Sequence, residues 1–127
     1  MCLTVDKRNF KIEIAQEDIV CYKVLEKYGG HIISPYCRFL YEIGKEYKTR
    51  MKDFYNRNSV KITEGFHSFL YEEDAKNEKA DFQDSKFKDW DFRCFRCVIP
   101  KGSKIVYGTY EAKDAIVSEE IKIIEEV

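Results

Sequence analysis

Residues 92–108 have the sequence FRCFRCVIPKGSKIVYG, which is the clearest strand–turn–strand pattern in the chain. The first eight residues combine aromatic, β-branched and cysteine side chains, as is typical of a buried strand. Pro100, Lys101 and Gly102 have the composition of a tight turn, because proline fixes φ and glycine accepts positive φ. A strand pattern resumes at Lys104 and ends at Gly108. The stretch predicts two strands joined as a β-hairpin.

Strand patterns recur on both sides of this stretch. Residues 19–25 are apolar on both faces except at Lys23, which predicts a central strand. Further strands are predicted at residues 10–14, 38–43, 60–70, 115–117 and 121–124. Residues 72–80 predict a short surface helix, because acidic side chains occupy the first turn and lysines follow. Residues 45–58 and 81–91 have no consistent period and are predicted to be loops, with a single short helix as the alternative at residues 45–58.

These patterns predict one domain over residues 1–127 of the α+β class. We expect it to be β-rich, with a mostly antiparallel sheet curled into a half-barrel and one or two short helices. A length of 127 residues suits a single core. Strands and helices do not alternate, and the sequence has no Gly-rich phosphate loop, so a doubly wound nucleotide-binding fold is disfavoured.

Composition narrows the classes of function. The chain has 22 Lys and Arg against 23 Asp and Glu, so it lacks the basic excess of a general nucleic-acid binder. It has no apolar run near the roughly 20 residues that span a bilayer, and its first residues do not resemble a signal peptide. We therefore expect a cytoplasmic protein without membrane contact, whose five cysteines are reduced.

Cys94 and Cys97 have the spacing of zinc and redox motifs. In an extended strand, however, positions three apart point to opposite faces, and their Cα atoms lie about 10 Å apart. The sequence therefore predicts no metal site, no cofactor and no redox pair at these two cysteines.

Two side chains allow two interpretations each. His67, between Phe66 and Ser68, is either a ligand donor or acid–base group, or a structural histidine hydrogen-bonded to the backbone. Lys23 either extends to the edge of the sheet or points into a pocket toward an anion. Residues 38–61 interleave basic and aromatic side chains, which is typical of nucleotide recognition but also of an ordinary loop.

Ordered blocks along nearly the whole chain resemble a family of small uncharacterised proteins of phages, prophages and gut Bacteroidales. The blocks are YKVL at 22–25, SPY at 34–36, YEIGK at 41–45, GFHSF at 65–69, IPKGS at 99–103 and IVSEEIKI at 116–123. The resemblance implies no activity. It implies that this protein, like other small phage proteins, binds a host protein or traps a signalling nucleotide in the cytoplasm of the host bacterium.

The leading hypothesis is a non-enzymatic protein that binds an anionic, nucleotide-like ligand and acts in counter-defence. The candidate ligand-binding residues are Tyr22, Lys23, Arg38, Tyr41, Lys45, Phe66, His67, Ser68 and Lys101. Residue chemistry assigns phosphate contacts to the basic side chains, stacking on a base to the aromatic ones, and a hydrogen bond to His67. No catalytic residue is assigned, and a homo-oligomer is expected.

Two alternatives stay open. Lys23, Ser68 and Glu120 occur in the order of the site residues of ADP-ribosyltransferases, a loose likeness that implies an NAD-using enzyme. Lys23 departs from the usual Arg or His, and the serine block departs from its usual pattern. The other alternative is an inhibitor that docks on a host factor through a sheet edge or an aromatic patch.

Overall fold

The computed structural model describes residues 3–35, 38–85 and 88–127, which form a curled half-barrel sheet of mostly antiparallel strands with a single short helix. The strands are β1 Leu3–Asp6, β2 Glu13–Ile14, β3 Ile19–Tyr28, β4 His31–Ile33, β5 Leu40–Tyr41, β6 Glu46–Lys48, β7 Lys52–Asn56, β8 Ser59–Glu64, β9 Phe66–Phe69, β10 Phe92–Ile99, β11 Lys104–Tyr110, β12 Lys113–Ser118 and β13 Glu120–Glu126. The helix is α1, Glu72–Gln83. The prediction of a β-rich, mostly antiparallel and curled sheet is confirmed. The α+β class fits this part of the chain only loosely, because it contains a single short helix.

The principal strand order across the sheet is β6-β13-β10-β3-β9-β12-β11-β1-β8-β7. The central pair is β3 and β10, which run antiparallel from Ile19 opposite Ile99 to Glu26 opposite Phe92. Both strands are long and have buried side chains on both faces, which explains why residues 19–25 of β3 are apolar on both faces except at Lys23.

The predicted hairpin between β10 and β11 is wrong, although both strands exist. β10 pairs with β3 and β13, whereas β11 pairs with β1, β2 and β12. The intervening turn instead contacts the segment before β3: the Lys101 amide donates to Asp18 Oδ1 at 2.9 Å, and the Ala15 amide donates to the Ser103 carbonyl at 2.9 Å. These contacts direct β11 to another part of the sheet.

Three buried clusters form the core. The inner cluster, on one face of β3 and β10, includes Leu25, Phe95 and Ile123. A second cluster, around Leu3, lies between β1, β8 and β12. The helix-side cluster lies between α1 and the other face of β3 and β10, and it includes Phe82. The sheet therefore has buried side chains on both faces where it meets the helix.

Several predicted boundaries require correction. Residues 45–58 were predicted to be a loop, but they contain β6 and β7, and β1 was not predicted. All five residues of β7 are exposed, so it has no buried face that could produce an alternating pattern. The predicted strands at residues 10–14 and 38–43 shorten to β2 and β5, and α1 extends into the segment predicted to be a loop.

The cysteines of β10 confirm the predicted geometry of opposite faces. Cys94 packs in the helix-side cluster, and Cys97 packs in the inner cluster opposite Cys21 of β3. These three thiols are buried and free, while Cys2 and Cys37 lie outside the described residues. Within residues 3–35, 38–85 and 88–127, no three His, Cys, Asp or Glu side chains cluster as a metal site would require, and no helix is long and apolar enough to cross a membrane.

Candidate functional site

The candidate site lies where β3 and β9 separate. In the described residues these antiparallel strands share one register pair, Tyr22 opposite Phe69. If the antiparallel ladder continued past this pair, the residues after Tyr22 would pair with the residues before Phe69. Instead, Lys23 of β3 and His67 of β9 line a cavity at this gap.

The cavity has a volume of about 380 Å³ and takes its walls from both faces of the sheet. Leu25 and Phe66 belong to the inner cluster, whereas Val24, Phe69 and Phe82 belong to the helix-side cluster. The residues that line the cavity are Lys23, Val24, Leu25, Ser34, Pro35, Phe39, Tyr41, Thr49, Thr63, Glu64, Gly65, Phe66, His67, Phe69, Glu78 and Phe82. An apolar wall with a few polar groups is typical of small-molecule sites.

An aromatic cluster of Phe39, Tyr41, Tyr47 and Phe66 forms one side of the site. The ring centroids of Phe39 and Tyr41 lie 4.9 Å apart, and those of Phe39 and Phe66 lie 5.9 Å apart. Tyr47 contacts Phe39 edge-to-face at 5.4 Å but does not line the cavity. Phe39 is 39% exposed, while Tyr41 and Phe66 are buried, so the cluster extends from the surface into the cavity.

Lys23 is the buried cation of the cavity, with 8% of its surface exposed. Its ammonium donates to the backbone carbonyl of His67 and lies 5.9 Å from the centroid of the Tyr41 ring. The bond links β3 to β9 across the gap where they separate. Of the two interpretations of Lys23, the structure supports the side chain that points into a pocket.

His67 lies against the backbone. Its Nδ1 is 3.1 Å from the Gly65 carbonyl oxygen and its Nε2 is 3.0 Å from the Ile62 carbonyl oxygen. Burial, together with the charge of Lys23, lowers the pKa of His67 from 6.5 to about 4, although the two carbonyls oppose the change. His67 is therefore neutral at pH 7 and carries one ring N–H, which donates to one of the two carbonyls. This contact with the backbone matches the structural interpretation.

Glu78 was missed by the sequence analysis, which placed it on a surface helix. It is 5% exposed and lines the cavity from α1, one turn before Phe82. Its Oε2 lies 3.7 Å from Lys113 Nζ. Burial and the nearby Glu111 raise the pKa of Glu78, and Lys113 opposes the rise. The spacing of the buried residues Ala75, Glu78 and Phe82 is the signal of a packed helix face.

The structure brings four of the predicted ligand-binding residues to the cavity, namely Lys23, Tyr41, Phe66 and His67. Arg38 does not line it, although it follows Pro35 closely in the chain. Its guanidinium is 2.7 Å from the buried carboxylate of Glu26 and 5.4 Å from the ring of Trp90. The guanidinium to which the sequence assigns a phosphate contact is therefore paired with Glu26 and does not line the cavity.

The other predicted residues also lie outside the cavity wall. Lys45 is exposed, with its ammonium 5.5 Å from the Tyr47 ring, and Lys101 is exposed in the turn after β10. Tyr22 packs against the helix-side cluster, and Ser68 is fully buried within β9. None of these four borders the cavity in the part of the chain that the structure describes.

The residues of the enzyme alternative do not converge there. Lys23 lines the cavity, and Ser68 is buried next to it in β9. Glu120 lies on β13, which is separated from β9 by β10 and β3, and its carboxylate pairs with Lys48 at 3.3 Å. The enzyme and host-factor alternatives stay predictions, as does the homo-oligomer.

Comparison of the chain with protein-family models, curated proteins and solved structures found no match. The resemblance to small phage and Bacteroidales proteins therefore stays a prediction.

Proposed function

We propose that this protein is a non-enzymatic binder that holds a small nucleotide-like ligand in the cavity between β3 and β9. The observation that carries the proposal is the combination of an aromatic wall with a buried lysine in a hollow of about 380 Å³. Small-molecule sites commonly have volumes of roughly 300–1,000 Å³ and a few fixed polar groups. The cavity meets both criteria.

The aromatic wall supports a planar ligand. Phe39 and Tyr41 present rings from the surface to the interior of the cavity, and Phe66 lies behind them. Aromatic side chains stack on nucleic-acid bases because every base has a π-face. A base would therefore replace water against these rings without requiring a new charged partner.

The charges favour a ligand with little negative charge. Lys23 is the one Lys or Arg among the described residues that line the cavity, and Glu64 and Glu78 line it as well. A triphosphate would face these carboxylates with several negative charges and one opposing ammonium. A single phosphate or phosphodiester would gain attraction from the buried Lys23 with less repulsion from the two carboxylates. We therefore assign the ligand to mononucleotides or cyclic nucleotides.

The proposed biological role is sequestration of the nucleotide by this protein. A protein that binds a nucleotide and returns it unchanged lowers the free concentration of that nucleotide. The resemblance to phage proteins implies that the nucleotide is an immune signal of the host bacterium. Native mass spectrometry of the purified protein would report both a retained small molecule and the oligomeric state.

Titration calorimetry tests binding directly. The ligands are AMP, GMP, cyclic dinucleotides and cyclic ADP-ribose isomers, and the variants are Phe39→Ala and Lys23→Met. We expect Phe39→Ala to weaken binding about tenfold, because a base–aromatic stack contributes about 1–3 kcal/mol. Lys23→Met should weaken binding of the phosphorylated ligand more than binding of its nucleoside.

Matched controls lie away from the cavity. Phe54 on β7 is 59% exposed, so Phe54→Ala removes a ring without touching the site, and Lys101→Met removes an exposed lysine. Both controls should bind like the wild type. If no ligand in the series binds the wild type, the proposed function is wrong. Recovery of a chemically altered ligand would also contradict it, because the proposal is binding without turnover.

A further inference from the structure

The imidazole of His67 lies between two hydrogen-bond acceptors. Its Nδ1 is 3.1 Å from the Gly65 carbonyl oxygen, and its Nε2 is 3.0 Å from the Ile62 carbonyl oxygen. A neutral imidazole has one N–H and donates to only one of these oxygens, so its other nitrogen directs a lone pair toward an acceptor. An imidazolium has two N–H groups and donates to both oxygens. The backbone around His67 is therefore arranged for the charged form of the ring.

Burial and nearby positive charge keep His67 neutral in spite of these two acceptors. Burial is the larger effect, and the charge of Lys23 adds to it, so that the pKa of His67 is about 4. Lys23 lies close to His67, because its ammonium donates to the His67 carbonyl. The charge of the N-terminal amino group acts in the same direction. A negative charge next to Lys23 would offset the charge of the ammonium and attract an imidazolium.

The carboxylates on the elements around the cavity have other partners. Glu64 of β8 and Glu78 of α1 both line the cavity. A carboxylate oxygen of Glu64 lies 3.3 Å from Lys52 Nζ, and one of Glu78 lies 3.7 Å from Lys113 Nζ. On β12, the residue opposite His67 is apolar. Among the described residues, His67 therefore has no anionic partner, and the charges that act on its pKa are positive.

We propose that a phosphate-bearing ligand enters the cavity together with one proton, and that His67 binds this proton. The inference rests on the proposed function, in which the phosphate is attracted by Lys23, and it adds the way in which pH regulates that binding. The imidazolium donates its two N–H groups to the backbone, so it acts on the phosphate through its charge and without direct contact. The ligand therefore meets two positive charges in place of one.

NMR titration of the full chain measures the protonation of His67 directly, because the sequence contains only two histidines. The probes are cyclic GMP and cyclic UMP, whose own charge is constant between about pH 5 and about pH 7.5. Guanosine and uridine lack the phosphate and are the control ligands. The ring C–H signal of His67, assigned with the variant His31→Gln, should titrate at about pH 4 without ligand. A cyclic nucleotide should raise this midpoint to about 6 or above, whereas a nucleoside should not raise it.

Titration calorimetry measures the same coupling as a change in affinity. A midpoint that rises from about 4 to about 6 on binding favours the complex at low pH. The wild type should therefore bind the cyclic nucleotides about tenfold more tightly at about pH 5 than at about pH 7.5. In His67→Gln the side chain cannot take up a proton, so the two affinities should agree within about twofold. His31→Gln is the matched control, since His31 is exposed on β4, and it should keep the wild-type increase.

The outcomes separate this inference from the proposed function. If a cyclic nucleotide binds equally at both pH values, or leaves the His67 midpoint unchanged, His67 takes up no proton and the proposed function stands. A His67→Gln protein that keeps the tenfold increase also overturns the inference, because another group then takes up the proton. If neither cyclic nucleotide binds at any pH, the inference fails, and absence of binding across the wider ligand series rejects the proposed function. Should His67→Gln fail to fold, the NMR titration of the wild type decides alone.

Discussion

The stability of the protein should depend on pH through His67. The folded protein holds this imidazole neutral, because burial and Lys23 lower its pKa to about 4, whereas the unfolded chain has the ordinary value of 6.5. Between these two values the unfolded state binds a proton that the folded state excludes. Stability is therefore fully present above pH 6.5 and decreases as the pH falls from 6.5 toward about 4.

The size of the effect follows from the two pKa values. One pKa unit corresponds to about 1.4 kcal/mol, so the change from 6.5 to about 4 gives about 3 kcal/mol over the whole range. About 2 kcal/mol of this should be lost between about pH 7.5 and about pH 5. The lowered pKa values of the exposed carboxyls Asp6, Asp91 and Glu126 act at more acidic pH and contribute little in this window.

Urea denaturation at several pH values between about 7.5 and 5 measures the free energy of unfolding. His67→Gln should remove most of the pH dependence, because glutamine keeps a polar side chain and does not titrate. His31→Gln is the matched control: His31 is exposed on β4, and its replacement should leave the wild-type slope. The raised pKa of Glu78 acts in the opposite direction and is common to all three proteins, so it cancels in the comparison. A wild-type slope in His67→Gln would refute the reasoning.

Two further predictions concern packing and are also checked by denaturation. Gly65 has a φ of 128°, and a Cβ there would lie 2.5 Å from Val117 Cγ1, so Gly65→Ala should destabilise the fold by about 2–3 kcal/mol. Gly102→Ala, also at positive φ but with no atom within 4 Å, should cost about 1 kcal/mol, and equal losses at the two sites would contradict the steric argument. Ile116 is fully buried, so Ile116→Ala should cost about 2–5 kcal/mol, against less than about 0.5 kcal/mol for Ile12→Ala, whose side chain is 51% exposed. A small loss at Ile116 would show that β12 does not lie in the core.

The sequence predicts the central strands well because burial leaves a local pattern. β3 and β10 have buried apolar side chains on both faces, because the inner cluster packs on one face and the helix-side cluster on the other. β7 left no such pattern, since its side chains are exposed. Local sequence does not show which strands pair with each other. The residues after β10 specify a turn, but the contact of Lys101 with Asp18, which is distant in sequence, directs the next strand away from a hairpin.

The candidate site was partly predictable for the same reason. Lys23 interrupts an apolar strand, which marks it as a side chain with a special environment, and His67 lies beside Gly65 in a similarly unusual segment. Arg38 was misplaced because composition does not show that the buried Glu26 pairs with it. Glu78 was missed because an acidic residue in a charged helix is ordinarily solvated, and its burial depends on how α1 packs on the sheet.

The gap between β3 and β9 connects the fold to the proposed function. A closed ladder between these strands would bury apolar side chains on both faces and leave no space for a ligand. Instead, the ammonium of Lys23 donates a hydrogen bond to the His67 carbonyl and so links the two strands across the gap. Burial keeps His67 neutral, and that lysine adds to the effect and provides the positive charge of the cavity. The same side chain therefore links the strands, contributes to the pH dependence of stability and, under the proposal, attracts the ligand.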